Sequence, residues 1–224
     1  MFGLRAARLG FRSSASNATV TLFPMVHVGD ERFYAEVYAD AFGHEAVLIE
    51  GVRSSVSRNF TRAYRWMKPE RLGLVIQPKT PASSLVAART VRADLTGEEF
   101  EREWRKVPWR LRAAFAVIAP LYGLSQCFFG SREAMAKRCA MEDRLSSDEV
   151  LSWNPEFDAV HHCIDDARDE RLLQCLAAEL DNAPAEGRRI AIVYGPRHMR
   201  AVIRELTRRG FHCGEAKWLT IFKT

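Results

Sequence analysis

The chain has 224 residues, 47% of them hydrophobic, which is enough for one substantial core and predicts a single domain. Its formal net charge is +5, but the 33 Lys and Arg residues are interleaved with 28 Asp and Glu residues. We find no basic stripe with interleaved aromatic residues, so we predict no nucleic-acid partner. The five cysteines form no CxxC pair and are odd in number, which favours the cytoplasm or another reducing compartment.

The N-terminal stretch is basic. The first 29 residues carry Arg5, Arg8 and Arg12 and no acidic residue. Residues 1–17 are rich in Arg and Ser, which is typical of an organellar presequence and predicts import. A disordered basic leader or an early start codon explains the same pattern, and whether these residues are removed stays open. In each case we expect the folded domain to span residues 18–224.

Alternating strand and helix patterns follow the leader. The run Ala18–Asp30 predicts a strand that ends near His27, and Asp30 is placed to cap a helix that continues to Phe42. Glu45–Glu50 is a continuous apolar run that predicts a strand buried on both faces. The next predicted elements are a helix over about 54–67, a strand in RLGLVIQ and a short strand over Thr90–Asp94.

The middle of the chain is predicted to be helical. Thr96 and Glu99 form a capping box that opens a helix to Lys106, and helical patterns continue to about residue 150. Ala113–Phe129 is the most apolar long window, but it has 17 residues and is interrupted by Pro120, which is short for a membrane span. We therefore expect a buried helix pair there and no transmembrane segment.

The C-terminal third returns to alternating helices and strands. Asn154 predicts the start of a long helix to about Leu180. Ile190–Tyr194 predicts a buried strand, and Ala216–Phe222 alternates as a final strand. Since both ends of the chain are α/β, we expect them to join one sheet. The predicted fold class is α/β, with a mixed central sheet flanked by helices and a mainly helical insertion over about 96–150.

Three predicted strands end on polar residues that can carry chemistry, namely His27, Glu50 and His198. In open α/β sheets, ligands bind at the carboxyl ends of the strands. Two imidazoles and a carboxylate are enough to hold a divalent metal and to lower the pKa of a bound water toward about 7. Without a metal, the same groups can serve as general base, orienting acid and proton shuttle. Arg53, just past Glu50, can hold that carboxylate or an anionic substrate group.

Each of these residues also has a structural alternative. A histidine at a strand end is often a hydrogen-bonded structural residue, and Glu50 can simply cap the next helix. Recurrence at three strand ends favours a site. The stretch HHCIDDARD offers a rival metal site through two i,i+4 His–Asp pairs, but the pairs point about 100° apart and cannot converge on one ion.

Several segments resemble the TraB/PrgY–GumN–Tiki group. VHVGDERFYAEVYADAFGHEAVLIEGVRS is similar to the opening of that group, where a His after the first strand is followed by a helix and by a strand ending in Glu, with Arg just beyond. ARDERL is similar to the group's Arg-Asp pair on a long helix, and IVYGPRHM matches its Gly-x-x-His signature. The resemblance extends over nearly the whole chain, from about Ala18 to Phe222.

The resemblance implies a mixed α/β sheet like that of Tiki proteases, erythromycin esterases and haem-binding ChaN-like proteins, with the site at the strand ends. It implies a hydrolase that uses a divalent metal (Mn, Co or Zn) and acts on a peptide or a small-molecule ester. His27, Glu50 and His198 would then be the catalytic or metal-ligating residues. The residues carried over as substrate-binding or supporting groups are Arg53, Arg168, Asp169 and Gly195.

One residue departs from the pattern of the group. Pro24 stands where the metal-dependent Tiki branch has Gly, three residues before its His, and proline lacks the backbone freedom of glycine. This departure favours an alternative of another class: a non-catalytic regulatory or ligand-binding protein that holds a peptide, haem or a membrane partner in the same cleft. The sequence predicts no particular oligomeric state.

Overall fold

A computed structural model of the chain describes residues 3–79, 88–139 and 155–224. In the described residues, six strands form a central mixed sheet in the order β6-β4-β7-β2-β1-β8. These strands are β1 (Gly3–Ser13), β2 (Ser16–Pro24), β4 (Ala46–Ile49), β6 (Arg89–Arg92), β7 (Arg189–Tyr194) and β8 (His212–Lys223). The predicted fold class is confirmed: this is a single α/β domain with helices on both faces of a mixed sheet.

The helices are α1 (Glu31–Ala41), α2 (Ser55–Trp66), α3 (Gly97–Lys106), α4 (Trp109–Phe129), α5 (Arg132–Cys139), α6 (Asp158–His161), α7 (Ala167–Asp181) and α8 (Met199–Arg208). Two short strands, β3 (Val28–Gly29) and β5 (Val75–Ile76), pair with each other in a separate sheet. The strand predicted in RLGLVIQ therefore forms, but it does not join the central sheet. The capping box at Thr96 and Glu99 opens α3 as predicted.

Four adjacent strands of the sheet, from the edge strand β6 to β2, are parallel. β2 pairs with β7, β7 with β4, and β4 with β6, all in parallel. β4 and β7 are apolar because both faces of these strands are buried, as the continuous runs in the sequence predicted. Since the four strands are parallel, their carboxyl ends meet at one edge of the sheet.

Helices cover the two faces of this sheet. Apolar residues of α1 pack on one face, where Val47 and Ala191 point. Residues of α7 and α8 pack on the other face, where the alternate strand residues Leu48 and Ile192 point. This alternation is the period of two that a strand imposes on its side chains.

The N-terminal stretch belongs to the sheet. β1 lies between β2 and β8 and pairs antiparallel with both. Its side chains Leu4, Ala6 and Phe11 are buried. The expectation that residues 1–17 form a leader outside the domain is therefore wrong for the strand that they contain. The arginines that suggested a presequence alternate with buried apolar residues along β1, and Arg8 pairs with Asp40 at 2.7 Å.

The helical middle differs from its prediction at one helix. α4 is a single helix of 21 residues, and Pro120 lies inside it. The expectation of a buried helix pair is wrong, because most of the apolar side chains of α4 are exposed. Among the described residues, α4 is the one helix whose length and apolar composition would suffice to cross a membrane. The predicted helix start at Asn154 lies outside the described residues.

Candidate functional site

Three neighbouring parallel strands end at the candidate site. Glu50 directly follows β4, Gly195 directly follows β7, and Asp94 comes two residues after β6. Because β4 lies between β6 and β7 in the sheet, the three ends adjoin one another. The sheet therefore places two carboxylates and a backbone N–H group within one small region.

Both carboxylate oxygens of Glu50 accept a hydrogen bond. Arg168 of α7 donates from Nη2 to Oε1 at 2.7 Å, and the backbone N–H of Gly195 donates to Oε2 at 2.7 Å. These contacts connect β4, β7 and α7 at one point. The position of the Glu50 carboxylate is thus fixed by one side-chain donor and one backbone donor.

Arg168 also binds Asp94 through two parallel hydrogen bonds. Its Nε and Nη2 donate to the two oxygens of Asp94 at 2.9 and 2.8 Å, and Asp94 further accepts from the backbone N–H groups of Gly51 and Leu95. Burial raises the pKa of Asp94, but the hydrogen bond and charge of Arg168 outweigh it and leave the pKa below its ordinary value. Burial likewise opposes the charge of Arg168, and its two carboxylate partners raise its pKa all the same.

Asp169, the next residue along α7, contacts His198, which forms the second part of the site. Asp169 Oδ1 lies 2.7 Å from Nδ1 of His198, which stands between β7 and α8. The His198 side chain is 5% exposed, and Asp169 is 23% exposed. If Nδ1 donates its proton to Asp169, the lone pair of a neutral imidazole lies on Nε2. This is the orientation of a histidine that accepts protons or binds a ligand through Nε2.

A local irregularity precedes these two residues of α7. Residues His162–Asp166 form a π-helical turn between α6 and α7. Such turns are uncommon and are frequent at functional sites, because they change which face of a helix the next residues occupy. Consecutive residues of a helix point about 100° apart. Arg168 and Asp169 accordingly serve two neighbouring partners, Glu50 with Asp94 on one side and His198 on the other.

Tyr194 fills the space between the two groups. The Arg168 guanidinium lies over its ring at 5.6 Å, and the His198 ring meets it edge-on at a centroid distance of 4.9 Å. Its hydroxyl is buried without a hydrogen bond of acceptable geometry. Burial, followed by the charge of Asp94, raises the pKa of Tyr194, so the phenol stays neutral.

Gly195 brings Glu50 and His198 close together. A Cβ atom at this position would lie 3.3 Å from Glu50 Oε2 and 3.5 Å from His198 Cδ2. The carboxylate and the imidazole therefore both lie within 4 Å of one point. The Gly-x-x-His pattern noted in the sequence corresponds to a glycine whose bare Cα lets both side chains approach.

The contacts of His27 are with residues outside this network. β2 ends at Pro24, and His27 is exposed three residues later. Its Nδ1 lies 3.3 Å from Gln77 Oε1, and its ring contacts the tilted ring of Tyr64 at a centroid distance of 4.9 Å. Burial raises the pKa of Tyr64 to about 12, with further contributions from Cys139 and Glu50. Tyr64 therefore contacts His27 and also feels the charge of Glu50.

Arg53 has an exposed side chain, and the partner of Glu50 is Arg168. The sequence predicted a basic residue that holds the Glu50 carboxylate. The structure supplies that residue from α7, more than a hundred positions along the chain, rather than from the turn after β4.

The predicted metal ligands do not form a three-ligand set. In the part of the chain that the structure describes, no group of three or more His, Cys, Asp or Glu side chains is arranged to hold a metal ion. Both Glu50 oxygens are occupied by hydrogen bonds, and His27 faces Gln77. Only Glu50 and His198 of the three predicted ligands adjoin each other. We therefore derive no chemical step through a metal, and the divalent ion stays a prediction.

Two residues of the site were not selected from the sequence. Asp94 ends a predicted strand, which is the same signal that selected Glu50, but its strand is short and polar. Tyr194 is the last residue of a strand that reads as continuous core. Neither pattern distinguishes a site residue from ordinary packing.

No family model matches the chain, and no match is found among curated proteins or solved structures. The resemblance to the TraB/PrgY–GumN–Tiki group thus stays a prediction from short motifs. Functional assignment rests on the geometry of the site.

Proposed function

We propose that the protein is a hydrolase of peptide or ester bonds in which His198 is the general base. The observation that carries this proposal is the 2.7 Å contact between His198 Nδ1 and Asp169 at the carboxyl edge of the parallel strands. An acidic partner on Nδ1 fixes the tautomer of the imidazole and stabilises the imidazolium that forms when Nε2 takes a proton. Edges of this kind are where α/β proteins bind ligands.

In the proposed reaction, His198 Nε2 removes a proton from a water molecule, and the resulting hydroxide attacks the substrate carbonyl carbon. The protonated His198 then returns that proton to the leaving alcohol or amine as the acyl bond breaks. Asp169 is a positioning residue that holds the ring and its charge. General acid–base catalysis of this type contributes about 10² to 10⁴ in rate.

Glu50, Arg168 and Asp94 have a positioning role in this proposal. The Arg168 guanidinium is shared by the two carboxylates, and the hydrogen bonds of the three residues fix the ends of three strands and the start of α7. A group whose oxygens are already engaged by Arg168 and a backbone N–H is a poor base. The network instead holds Asp169 and Gly195 where His198 needs them.

The test is turnover of a panel of peptide and ester substrates by the wild-type chain, His198→Gln and Asp169→Asn. We expect each variant to lose about 10² to 10⁴ in kcat/KM. His161→Gln is the matched control, because His161 also pairs with an aspartate, Asp165, at 3.7 Å but outside the site. This control should retain wild-type turnover. Absence of turnover on the panel, or equal loss in all variants, would contradict the proposal.

The same panel tests the predicted metal. Each substrate is measured after chelation and after addition of Mn, Co or Zn. The acid–base proposal expects turnover without added metal, whereas the prediction from the family resemblance expects turnover to depend on it. Metal-dependent turnover that His27→Ala and His198→Gln both abolish would replace the metal-free scheme with the metal-dependent one.

A second function has one observation in its favour. Glu50 is fully engaged and the His198 ring is almost buried, which also suits a cleft that holds a ligand without reacting with it. In that case the protein would be the non-catalytic regulatory or ligand-binding protein that the sequence offers as the alternative. Binding of a non-hydrolysable peptide or ester analogue that His198→Gln leaves unchanged, together with no turnover, would support this second function.

A further inference from the structure

The exposed apolar surface of the protein is concentrated on two helices. Within the described ranges, ten large hydrophobic side chains are exposed, and nine of them belong to α2 and α4. The nine are Trp66, Trp109, Val117, Ile118, Leu121, Tyr122, Leu124, Phe128 and Phe129. Single exposed apolar residues are normal on a protein surface, whereas a contiguous apolar patch marks a contact with a partner.

The residues of α4 share one face of the helix. Val117, Leu121, Leu124 and Phe128 follow a spacing of four, three and four residues, which places them in one row. Ile118, Tyr122 and Phe129 lie in the adjacent row by the same rule. At a rise of about 1.5 Å per residue, the two rows form an apolar strip about 18 Å long over the C-terminal part of α4. The opposite side of α4 packs against α2.

The pair of helices is strongly basic. α2 and α4 together contain five arginines and no Asp or Glu, although acidic residues are frequent elsewhere in the chain. The five are Arg58, Arg62, Arg65, Arg110 and Arg112. Glu101 of α3 contacts the start of α2 through Ser55, but the two helices themselves contribute cations alone. An apolar strip on such a pair is complementary to a surface that is both apolar and anionic.

A cavity of about 280 Å³ opens between these helices. Arg62, Arg112 and Asn59 supply polar groups to its wall, and Trp66 and Trp104 supply apolar ones. The Nε atom of Arg112 is buried and donates no hydrogen bond. A buried guanidinium N–H without an acceptor is costly unless a ligand oxygen satisfies it, and a phosphate oxygen is a suitable acceptor.

We propose that the α2–α4 pair docks on an anionic phospholipid bilayer, with a lipid phosphate bound at Arg62 and Arg112. The apolar strip enters the acyl boundary, and Trp109 lies at the headgroup level, which tryptophan prefers. A second copy of the chain is a worse partner, because it would bring five more arginines against the first five. The helix lies on the bilayer rather than crossing it, since α4 is packed along the arginine-bearing α2.

The test is flotation of the purified full chain with vesicles of two compositions. One set contains phosphatidylcholine alone, and in the other about a third of the lipid is phosphatidylserine. We expect at least about tenfold stronger partitioning onto the anionic vesicles and a marked loss of it as salt is raised. Equal binding to both sets, or no binding to either, would overturn the proposal.

Two matched pairs of variants locate the surface. Trp109→Glu is compared with Trp218→Glu, because Trp109 is 67% and Trp218 64% exposed and each lies near one arginine. Arg62→Gln is compared with Arg204→Gln on α8, which is also exposed. We expect Trp109→Glu to weaken partitioning about tenfold and Arg62→Gln to weaken it about fivefold. The second members should bind like the wild type.

Sedimentation of the same variants tests whether a second copy of the chain, rather than a bilayer, covers the apolar strip. A concentration-dependent dimer that Trp109→Glu disrupts, in a chain that does not float with anionic vesicles, would replace the bilayer with a second copy and overturn the proposal. Flotation requires no substrate, so this result is independent of whether the protein is a hydrolase.

Discussion

Charged side chains are usually exposed and apolar ones buried. The strand ends depart from this rule by burying charges, and the α2–α4 pair departs from it by exposing apolar side chains. At the strand ends, charged residues are buried: Asp94 has a side chain only 1% exposed, and Arg168 one 12% exposed. On the α2–α4 pair, apolar residues are exposed, with Phe129 at 86%. Both arrangements cost free energy in an isolated chain, because buried charges lose hydration and exposed apolar groups order water.

The difference lies in where the compensation is found. The buried charges satisfy one another through hydrogen bonds of 2.7 to 2.9 Å. The exposed apolar strip finds no such compensation among the described residues. The first region is therefore a self-contained site, whereas the second needs a partner from outside. Variants that remove the compensation at the strand ends should destabilise the fold, and variants that remove the strip should leave it stable.

The largest effect is expected for Arg168→Met. It leaves the carboxylates of Asp94 and Glu50 without their cation in a region with little water, which costs about 3–5 kcal/mol in the free energy of unfolding. Urea unfolding measures this loss. Arg208→Met is the control, because the Arg208–Glu205 contact is equally short at 2.7 Å but Arg208 is 69% exposed. The control should not change the urea midpoint, and a similar loss in both variants would contradict the comparison.

A pair of phenylalanines sharpens the contrast in the apolar direction. Phe100 is 4% exposed in the core beneath α3, and Phe128 is 67% exposed on α4. Phe100→Ala should cost about 3–5 kcal/mol of stability, because it opens a cavity. Phe128→Ala should change stability by no more than about 0.5 kcal/mol. Thermal unfolding of the two variants in lipid-free buffer is the measurement, and a large loss for Phe128→Ala would show that the strip is internal packing.

Acid should weaken the strand-end network. The pKa of Asp94 is lower in the folded protein than in the unfolded chain, so the unfolded chain binds more protons as the pH falls. The stability that Asp94 contributes is complete above its ordinary pKa of about 3.8 and is lost as the pH falls through the lower folded value. Unfolding of wild type and Asp94→Asn between neutral and acidic pH measures this. A steeper acid loss in Asp94→Asn than in the wild type would have the wrong sign.

The smallest effect is expected for Tyr194→Phe. The hydroxyl of Tyr194 is buried beside Asp94 without a hydrogen bond of acceptable geometry, so removing it relieves a desolvation cost and loses at most a weak polar contact. We expect unchanged or slightly higher stability, by at most about 1 kcal/mol, from the melting temperature. The matched variant is Tyr34→Phe, because the buried Tyr34 hydroxyl donates a hydrogen bond to the Val26 carbonyl at 2.9 Å. Removing this hydroxyl should lower the melting temperature. Destabilisation by Tyr194→Phe would indicate that its hydroxyl has a partner.

Periodicity and turn chemistry were sufficient for most of the fold. The runs at Glu45–Glu50 and Ile190–Tyr194 predicted the neighbouring strands β4 and β7, since a strand buried on both faces tolerates unbroken apolar residues. β1 was missed because its arginines alternate with short apolar stretches, and only the β2 and β8 partners show which side is buried. α4 was misjudged because an apolar composition does not tell buried from exposed surface.

The site was predicted in part. Strand-end position selected Glu50 and His198, and the resemblance added Arg168 and Asp169. Their pairing depends on the register of the sheet and on the π-helical turn before α7, which local patterns do not encode. Arg53 was named as a partner of Glu50 because it is near in sequence, and Arg168 entered through the family resemblance; the fold brings the distant Arg168 to this carboxylate.

The central claim is that His198 and Asp169 act as one unit, and a double-variant cycle in kcat/KM tests it most directly. His198→Gln and Asp169→Asn are each measured alone and together on the best substrate of the panel. The account predicts that the double variant loses no more rate than His198→Gln alone, since Asp169 acts only through the imidazole. Losses that multiply, or a His198→Gln variant that keeps wild-type turnover, would contradict it.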